Sequence, residues 1–478
     1  MLFNTFDFLW MFPLIFLAYY ACLGCNRIKA SHLGNAFLIL ISYGLYIKWK
    51  PVYALVLLWV TLVTFVAAKQ IETCRKYRLG GAKLQFVLAL LLTFAPLFFF
   101  KYYNFVNDSL SDALGFVGIS TGLPGLNWVM PLGLSFFTLQ AVGYLADVYQ
   151  GKIAAERNWW YYMLFVSFFP QIASGPISKA ADLLPQIKIE RQFDYAQCVE
   201  GLRWLLWGMF MKVVLADRVG LLVNTIYDNY IHQGGFSLLI GSILYTFQIY
   251  GDFAGYSFMA VGVGKLMGFN LINNFNRPYL SQSVTEFWHR WHISLSTWLK
   301  DYVYITMGGS RCSKARNYWN IFVTFFVSGI WHGANWTFLV WGSLHGLFQI
   351  VEKMLGLHKK TSHGIVRLTR IVVTFLLVNF AWIFFRMPTL TDAVNVVAKI
   401  FTDWSMGLPT VMPSMLLMIL LSLIVVMIKD VTDEVLPHHY QLLTHYRVMV
   451  RWSVYVLLAV IILCCGVFDA SQFIYVSF

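Results

Sequence analysis

"VSGIWHGANW", residues 327–336, sets His332 between Trp331 and Trp336, with a glycine on its far side, in an otherwise apolar part of the chain. Whether water or lipid surrounds this stretch decides the fold, and composition gives the answer. Of the 478 residues, 59% are hydrophobic, 18% aromatic and 12% charged, and the mean hydropathy is +0.65. Soluble domains carry roughly 25% charged residues, so most of this chain cannot face water. A bilayer-spanning helix needs about 20 mainly apolar residues. Candidate spans recur around 7–24, 34–47, 52–68, 84–100, 129–146, 159–173, 199–216, 236–264, 317–332, 334–351, 366–385, 411–428 and 449–468. The expected fold is therefore an all-α polytopic membrane protein of about 11–13 spans, with interfacial or re-entrant helices between them.

Charge between the spans sets an expected topology. No Lys or Arg precedes Arg27, so the start of the chain lacks the basic region of a cleavable signal. Arg27 and Lys29 lie in the first loop, and Lys69, Arg75, Lys76, Arg78 and Lys83 in the third. By the positive-inside rule both loops are cytoplasmic and the N-terminus is outside, with Lys48 and Lys50 as a mild contradiction. The net charge of +13 follows from such loops and from anionic lipid, without nucleic acid. The 7 cysteines show no CxxC pair and no zinc-type spacing. No polar stretch combines the length and apolar content of a separate core. A single membrane domain over 1–478 is expected, with N-terminal helices 1–128, a core 129–386 and C-terminal helices 387–478.

The segment "EFWHRWHISLSTWLKDYVYITMGG", residues 286–309, is too charged to span a bilayer. As one helix it places Trp288, Trp291, His292, Leu295, Trp298, Leu299 and Tyr302 on one face, and Glu286, Arg290, Thr297 and Asp301 on the other. That pattern belongs at the membrane interface or dips in beside other helices. A simple anchor favours Lys or Arg, whereas this face carries histidine.

Several catalytic signatures are absent: no GxxxxGK[ST] loop, no HExxH pair, no HxxxxD and no DxD. One GxSxG match, "GISTG" at 118–122, sits in a Gly/Pro-rich loop and reads as chance. His289, His292, His332 and His345 fall in the apolar, aromatic half, where an ionisable residue is by default functional. The competing reading for each is a neutral ring hydrogen-bonded between helices. No carboxylate or cysteine completes a metal site with His289, His292 and His332, so no metal is expected. A neutral imidazole at 332 suits a general base, taking the proton of an attacking hydroxyl. Trp331 and Trp336 would shield and orient it, and Gly333 would leave room for a substrate chain. No Ser-His-Asp or Cys-His pairing is legible nearby, which favours direct transfer over a covalent enzyme intermediate.

The run "WHRWHISLSTWLKDYVYITMGGS" (288–310), followed by "SGIWHGANWTFLVWGSLHG" (328–346), resembles the membrane-bound O-acyltransferase (MBOAT) family. "PLGLSFFTLQAVGYLADVYQG" (131–151), "SFFPQIASGPISK" (167–179), "YGDFAGYSFMAVGVGKLMGF" (250–269), "AWIFFR" (381–386) and "QFIYVSF" (472–478) are similar to its bacterial alginate-acetylation and teichoic-acid D-alanylation branch. The resemblance implies a ring of tilted helices around a central tunnel, in the bacterial inner membrane. It implies His332 as the catalytic histidine and His292 as the second, with His289 left structural. Trp288, Trp291, Ser294, Asp301, Tyr302, Trp331 and Asn335 form the expected substrate-binding set.

The activity so implied is O-acylation of an extracytoplasmic polysaccharide with a short acyl group, acetyl first. The donor would be a cytoplasmic thioester, acetyl-CoA or an acyl carrier protein, used as substrate and not held as a permanent cofactor. It would dock on basic residues such as Arg290, Lys300, Arg311, Lys314 and Arg316, while a separate SGNH-type partner acts outside. D-alanyl transfer to teichoic acid is the alternative within the family. A transporter without chemistry is the alternative from another class; it would show paired mid-membrane acids or repeated halves. Asp147 and Asp252 lie near that depth, but no internal repeat matches them.

Overall fold

The computed structural model describes residues 3–24, 30–119, 124–359, 362–405, 407 and 412–468, and every regular element among them is helical. Part of "GISTG" and all of "QFIYVSF" lie outside the described residues. Two compact units form. The first takes Trp10–Cys198 and Gly264–Ile272; the second includes Val199–Val263 and the chain from Asn273 on.

Nine helices run through the first part of the chain: α1 (Phe6–Leu23), α2 (Ala30–Trp49), α3 (Pro51–Lys76), α4 (Ala82–Leu97), α5 (Tyr103–Gly115), α6 (Leu134–Gln150), α7 (Trp159–Ser167), α8 (Phe169–Ile172) and α9 (Ala180–Lys188). Pro51 opens α3 at a position where a missing N–H costs nothing. Its buried stripe runs through Leu57, Val60, Thr61, Thr64, Ala67, Ala68 and Ile71, at spacings of one helical turn. Polar groups inside are bonded in place: the Tyr162 hydroxyl donates to Thr64 Oγ1 at 2.7 Å, and Arg191 Nε donates to the Tyr19 hydroxyl at 2.7 Å. Helix α6 is buried on every side from Leu134 to Val148, as expected of a helix apolar all round. Gly133 begins it at φ +72, and a Cβ there would lie 1.7 Å from the Ile172 carbonyl. No other residue fits that position.

The second unit is built from α10 (Tyr195–Met209), α11 (Asp217–Tyr227), α12 (Gly235–Leu266), α13 (Val284–Arg290), α14 (Ile293–Leu299), α15 (Lys314–His332), α16 (Trp336–Met354), α17 (Gly364–Arg386), α18 (Leu390–Thr402), α19 (Pro413–Val435) and α20 (Val448–Cys465). A π-helical stretch, Phe210–Ala216, joins α10 to α11. Close helix contact rests on missing side chains. A Cβ on Gly208 would meet the Gly255 carbonyl of α12 at 2.5 Å. On the α15–α16 pair, a Cβ on Gly329 would meet the Phe338 carbonyl, and one on Gly342 the Phe325 carbonyl, each at 2.4 Å. Small residues that let backbones touch are the usual interface in lipid, where apolar side chains gain nothing by leaving one another for the bilayer.

The same unit buries a charge cluster. Lys212 Nζ lies 2.6 Å from Asp217 Oδ1 and 2.5 Å from Asp252 Oδ1, with all three side chains inaccessible or nearly so. The sequence flagged Asp252 alone. Lys212 sits in the π-helical stretch, whose extra residue per turn re-aims a side chain, and no sequence pattern announces that.

Among the described residues, six helical stretches are long and apolar enough to cross a bilayer: Phe6–Leu23, Pro51–Lys76, Ala82–Gly115, Gly364–Arg386, Pro413–Val435 and Val448–Cys465. Expected spans at 34–47, 129–146, 199–216, 236–264, 317–332 and 334–351 coincide with α2, α6, α10, α12, α15 and α16, which carry more small and polar residues. The protein is an all-α, polytopic membrane protein.

Candidate functional site

The segment 286–309 is not one helix. Helix α13 ends at Arg290, Trp291 is extended (φ −111, ψ 131), and His292 turns left-handed (φ 43, ψ 53) before α14 begins. After Leu299 a π-helical stretch covers Lys300–Tyr304. The single amphipathic face expected from the spacing is therefore split in two. Polar partners from other elements hold the break. Glu352 on α16 accepts the backbone N–H groups of Val284 and Thr285 at the start of α13. Arg290, at its end, makes a two-pronged pair with Glu434, both contacts at 3.0 Å. Arg290 is thus engaged inside the protein and does not serve as a free cation for a donor.

The kink brings His292 toward His332. The ring centroids of His292 and His332 lie 6.4 Å apart, both rings are buried, and Trp331 packs on each, at 5.8 Å from His292 and 4.8 Å from His332. Phe253 meets His292 edge-on at 4.6 Å. Trp341 and Phe385 close on His332 at 4.8 Å and 5.4 Å. The ring of His332 thus faces an aromatic interior and not the lipid-exposed surface. Burial pushes the imidazole of His292 down to about 3, so this ring, which lies between helices outside the spanning segments, is neutral at ambient pH.

Two details of the sequence reading change. Trp336 is 54% exposed and does not shield His332; Trp341, one turn further along α16 on its inner face, does. The space beside Gly333 is filled by the Phe338 ring, which a Cβ at 333 would meet at 2.1 Å. It is a packing contact and leaves no passage for a substrate chain.

The expected binding residues separate into groups. Trp331 belongs to the histidine chamber. Trp288 is buried and donates its indole N–H to His345 Nδ1 at 3.2 Å, while Trp291 packs against Phe287, Phe275 and Trp382. Ser294 is buried in the first turn of α14. Asp301 lies 3.9 Å from Lys300, and Tyr302 packs on Trp298 at 5.2 Å; both sit a turn or more beyond the chamber. Asn335 caps α16, accepting the Thr337 N–H at 3.0 Å and donating to the Pro388 carbonyl at 2.6 Å. That bond orders the turn after His332.

A cavity of about 310 Å³ has Trp288 and Ile293, from either side of the kink, in its wall, and neither His292 nor His332 lines it. Its walls include Phe325 and Ile321, with Lys300, Lys353, His289 and His358 among its polar lining. An apolar body with basic groups suits a ligand that has an apolar or neutral arm and an anionic end. Sequence reasoning left His289 as structural, and it missed Trp341, Phe253 and Phe385. Turn periodicity along α16 places Trp341 and His345 on one face, a signal available in the sequence. The approach of Phe253 and Phe385 is tertiary and has none. Among the described residues, no three His, Cys, Asp or Glu side chains gather as metal ligands.

Known proteins place this geometry. The sequence profile of MBOAT, the membrane-bound O-acyltransferase family, matches residues 45–390. The chain is 35% identical to a probable alginate O-acetylase of Pseudomonas aeruginosa, over 84% of this chain and 75% of that one. It is 32% identical to a peptidoglycan O-acetyltransferase of Helicobacter pylori, over 83% of this chain and 79% of the relative. A teichoic acid D-alanyltransferase of Streptococcus thermophilus is 31% identical over 48% of this chain and 58% of its own length. A family match that includes the whole histidine chamber, together with relatives aligned along most of the chain, identifies the protein as a member of the membrane-bound O-acyltransferase family, and hence as an O-acyltransferase.

Proposed function

We propose that the chain moves an acetyl group from a cytoplasmic thioester across the inner membrane for O-acetylation of an extracytoplasmic polysaccharide, with His332 as general base. The observation that carries this reading is the convergence of His292 and His332 in one buried aromatic chamber. In the proposed step an acceptor hydroxyl gives its proton to the His332 imidazole while its oxygen attacks the thioester carbonyl carbon. The carbon–sulfur bond then breaks, and the imidazolium returns the proton to the departing thiolate. No metal and no resident cofactor enters the step. His292, neutral, orients the reacting groups from the facing wall, and Trp331 and Trp341 exclude water, which would otherwise hydrolyse the thioester.

The cavity suits the phosphopantetheine arm common to coenzyme A and acyl carrier proteins: a long neutral chain against Ile321 and Phe325, with its phosphate toward Lys300 and Lys353. The acceptor is a secreted or cell-wall polymer, reached through an SGNH-type partner, and the N-terminus lies outside. Acetyl is favoured over D-alanyl because the acetylating relatives align over 84% and 83% of the chain, against 48% for the Streptococcus D-alanyltransferase.

The test is His332→Ala in proteoliposomes carrying a radiolabelled acetyl thioester on the donor side. Removing a general base lowers turnover by about 10²–10⁴-fold, with thermal stability and donor binding retained. Transfer at the parental rate would overturn the assignment.

A further inference from the structure

His292 sits at the start of α14 in the left-handed region, φ 43 and ψ 53, which side chains other than glycine, Asn or Asp rarely adopt. It occupies the N-cap position, where a side chain ordinarily accepts an N–H from two or three residues further on. Its own side chain makes no such bond. The bonds come from a separate loop. The backbone carbonyl of Asn274 accepts the Ile293 N–H at 3.0 Å, and Asn274 Oδ1 accepts the Ser294 N–H at 3.1 Å. Two residues on, the Asn276 N–H donates to the Arg290 carbonyl at 2.9 Å. The loop therefore grips the chain on both sides of His292. Asn274 is fully buried, and its Nδ2 finds no partner among the described residues.

A histidine that capped its own helix would fold its ring back onto the Ser294 amide. With the cap supplied by Asn274, the imidazole is released to face Phe253, Trp331 and His332. The neutral amide does this where a carboxylate would bring a buried charge into the chamber. We infer that Asn274 is a positioning residue for His292: capping α14 from outside holds the left-handed backbone at 292 and aims the ring at His332. This inference rests on the proposed role of the two histidines.

The experiment is a double-mutant cycle on the full-length protein in proteoliposomes, with Asn274→Ala, His292→Ala and the pair. Folding is followed by thermal unfolding. Displacing a catalytic-site group by about 1 Å costs up to about 100-fold, so Asn274→Ala is expected to lower kcat about ten-fold or more with KM for the thioester nearly unchanged. In the His292→Ala background the alanine change at 274 has no further effect, because the two act as one unit. An equal loss in both backgrounds shows a general structural role and overturns the inference, as does full activity of Asn274→Ala. Should the alanine variant fail to fold, Asn274→Ser replaces it in the cycle, since its hydroxyl falls short of the Ser294 amide while keeping the site polar. Full activity of His292→Ala would instead remove the role of His292 itself, and the inference with it.

Discussion

Gly333→Ala adds one methyl group next to His332, the proposed general base. Gly333 is extended, at φ −162 and ψ 150, so alanine adopts its backbone without strain and the whole effect is steric. The new Cβ would lie 2.1 Å from both Cδ2 and Cε2 of Phe338 and 2.8 Å from Cζ. Carbon atoms rest at about 3.5–4.0 Å, so the ring must retreat by at least about 1.4 Å. It has little room, because Phe338 is buried and stands edge-on to Phe385 at 4.9 Å. Phe385 in turn packs on His332 at 5.4 Å and on Trp341 at 5.1 Å. Overpacking of this kind costs about 1–3 kcal/mol, and a shift of about 1 Å transmitted to His332 costs up to about 100-fold in turnover. Turnover at saturating thioester and the unfolding temperature, measured on one proteoliposome preparation, separate the two effects. A variant that keeps parental kcat would refute the claim that the Phe338–Phe385 wall fixes His332.

Lys212→Met removes the lysine between two buried carboxylates and should destabilise the protein by about 3–5 kcal/mol. Lys212→Met combined with Asp217→Asn and Asp252→Asn should recover much of that loss. Thermal unfolding reports both, and a stable single variant would contradict the burial of the cluster. The sign of the pH effect at His292 also follows. Its folded-state value lies near 3 against 6.5 for a free imidazole, so between those values the unfolded chain binds the proton and the folded chain does not. Stability is therefore lost as pH falls below about 6.5. His292→Gln should flatten that acid limb; an unchanged limb would show that another group causes it.

Much of the architecture was legible because the bilayer constrains it so strongly. Apolar runs expected at 52–68, 366–385 and 411–428 became helices at 51–76, 364–386 and 413–435, the first and last running on past the apolar stretch into polar residues. The membrane class, the all-helical fold and the two histidine motifs are local signals. The break at Trp291–His292 is not. A turn-by-turn count of aromatic residues from 286 to 309 fits one helix, and nothing within that window reveals that Asn274, Glu352 and Glu434, drawn from three other elements, will bond its backbone ends and its arginine. The exchange of Trp336 for Trp341 has the same origin. Both tryptophans lie near His332 in sequence; periodicity puts Trp341 on one face with His345, and the packing of α15 on α16 through Gly329 and Gly342 turns that face inward.

These partners share a physical cause. A helix that stops inside a membrane protein leaves N–H and C=O groups without partners, and the surrounding hydrocarbon supplies none. A kink at the site is therefore tolerated only where other parts of the protein satisfy the freed groups. Glu352 does so for the start of α13, and Asn274 for the start of α14. Arg290, at the end of α13, is anchored by Glu434. In return the left-handed residue between them carries an imidazole to within 6.4 Å of a second one on another helix. A continuous helix would have left His292 on the same face as Trp288 and Leu295, with its direction set by periodicity alone. The broken one lets an outside loop set that direction. On this reasoning, the residues that keep the break satisfied matter to transfer although they touch no substrate, and their loss should lower turnover before it unfolds the protein.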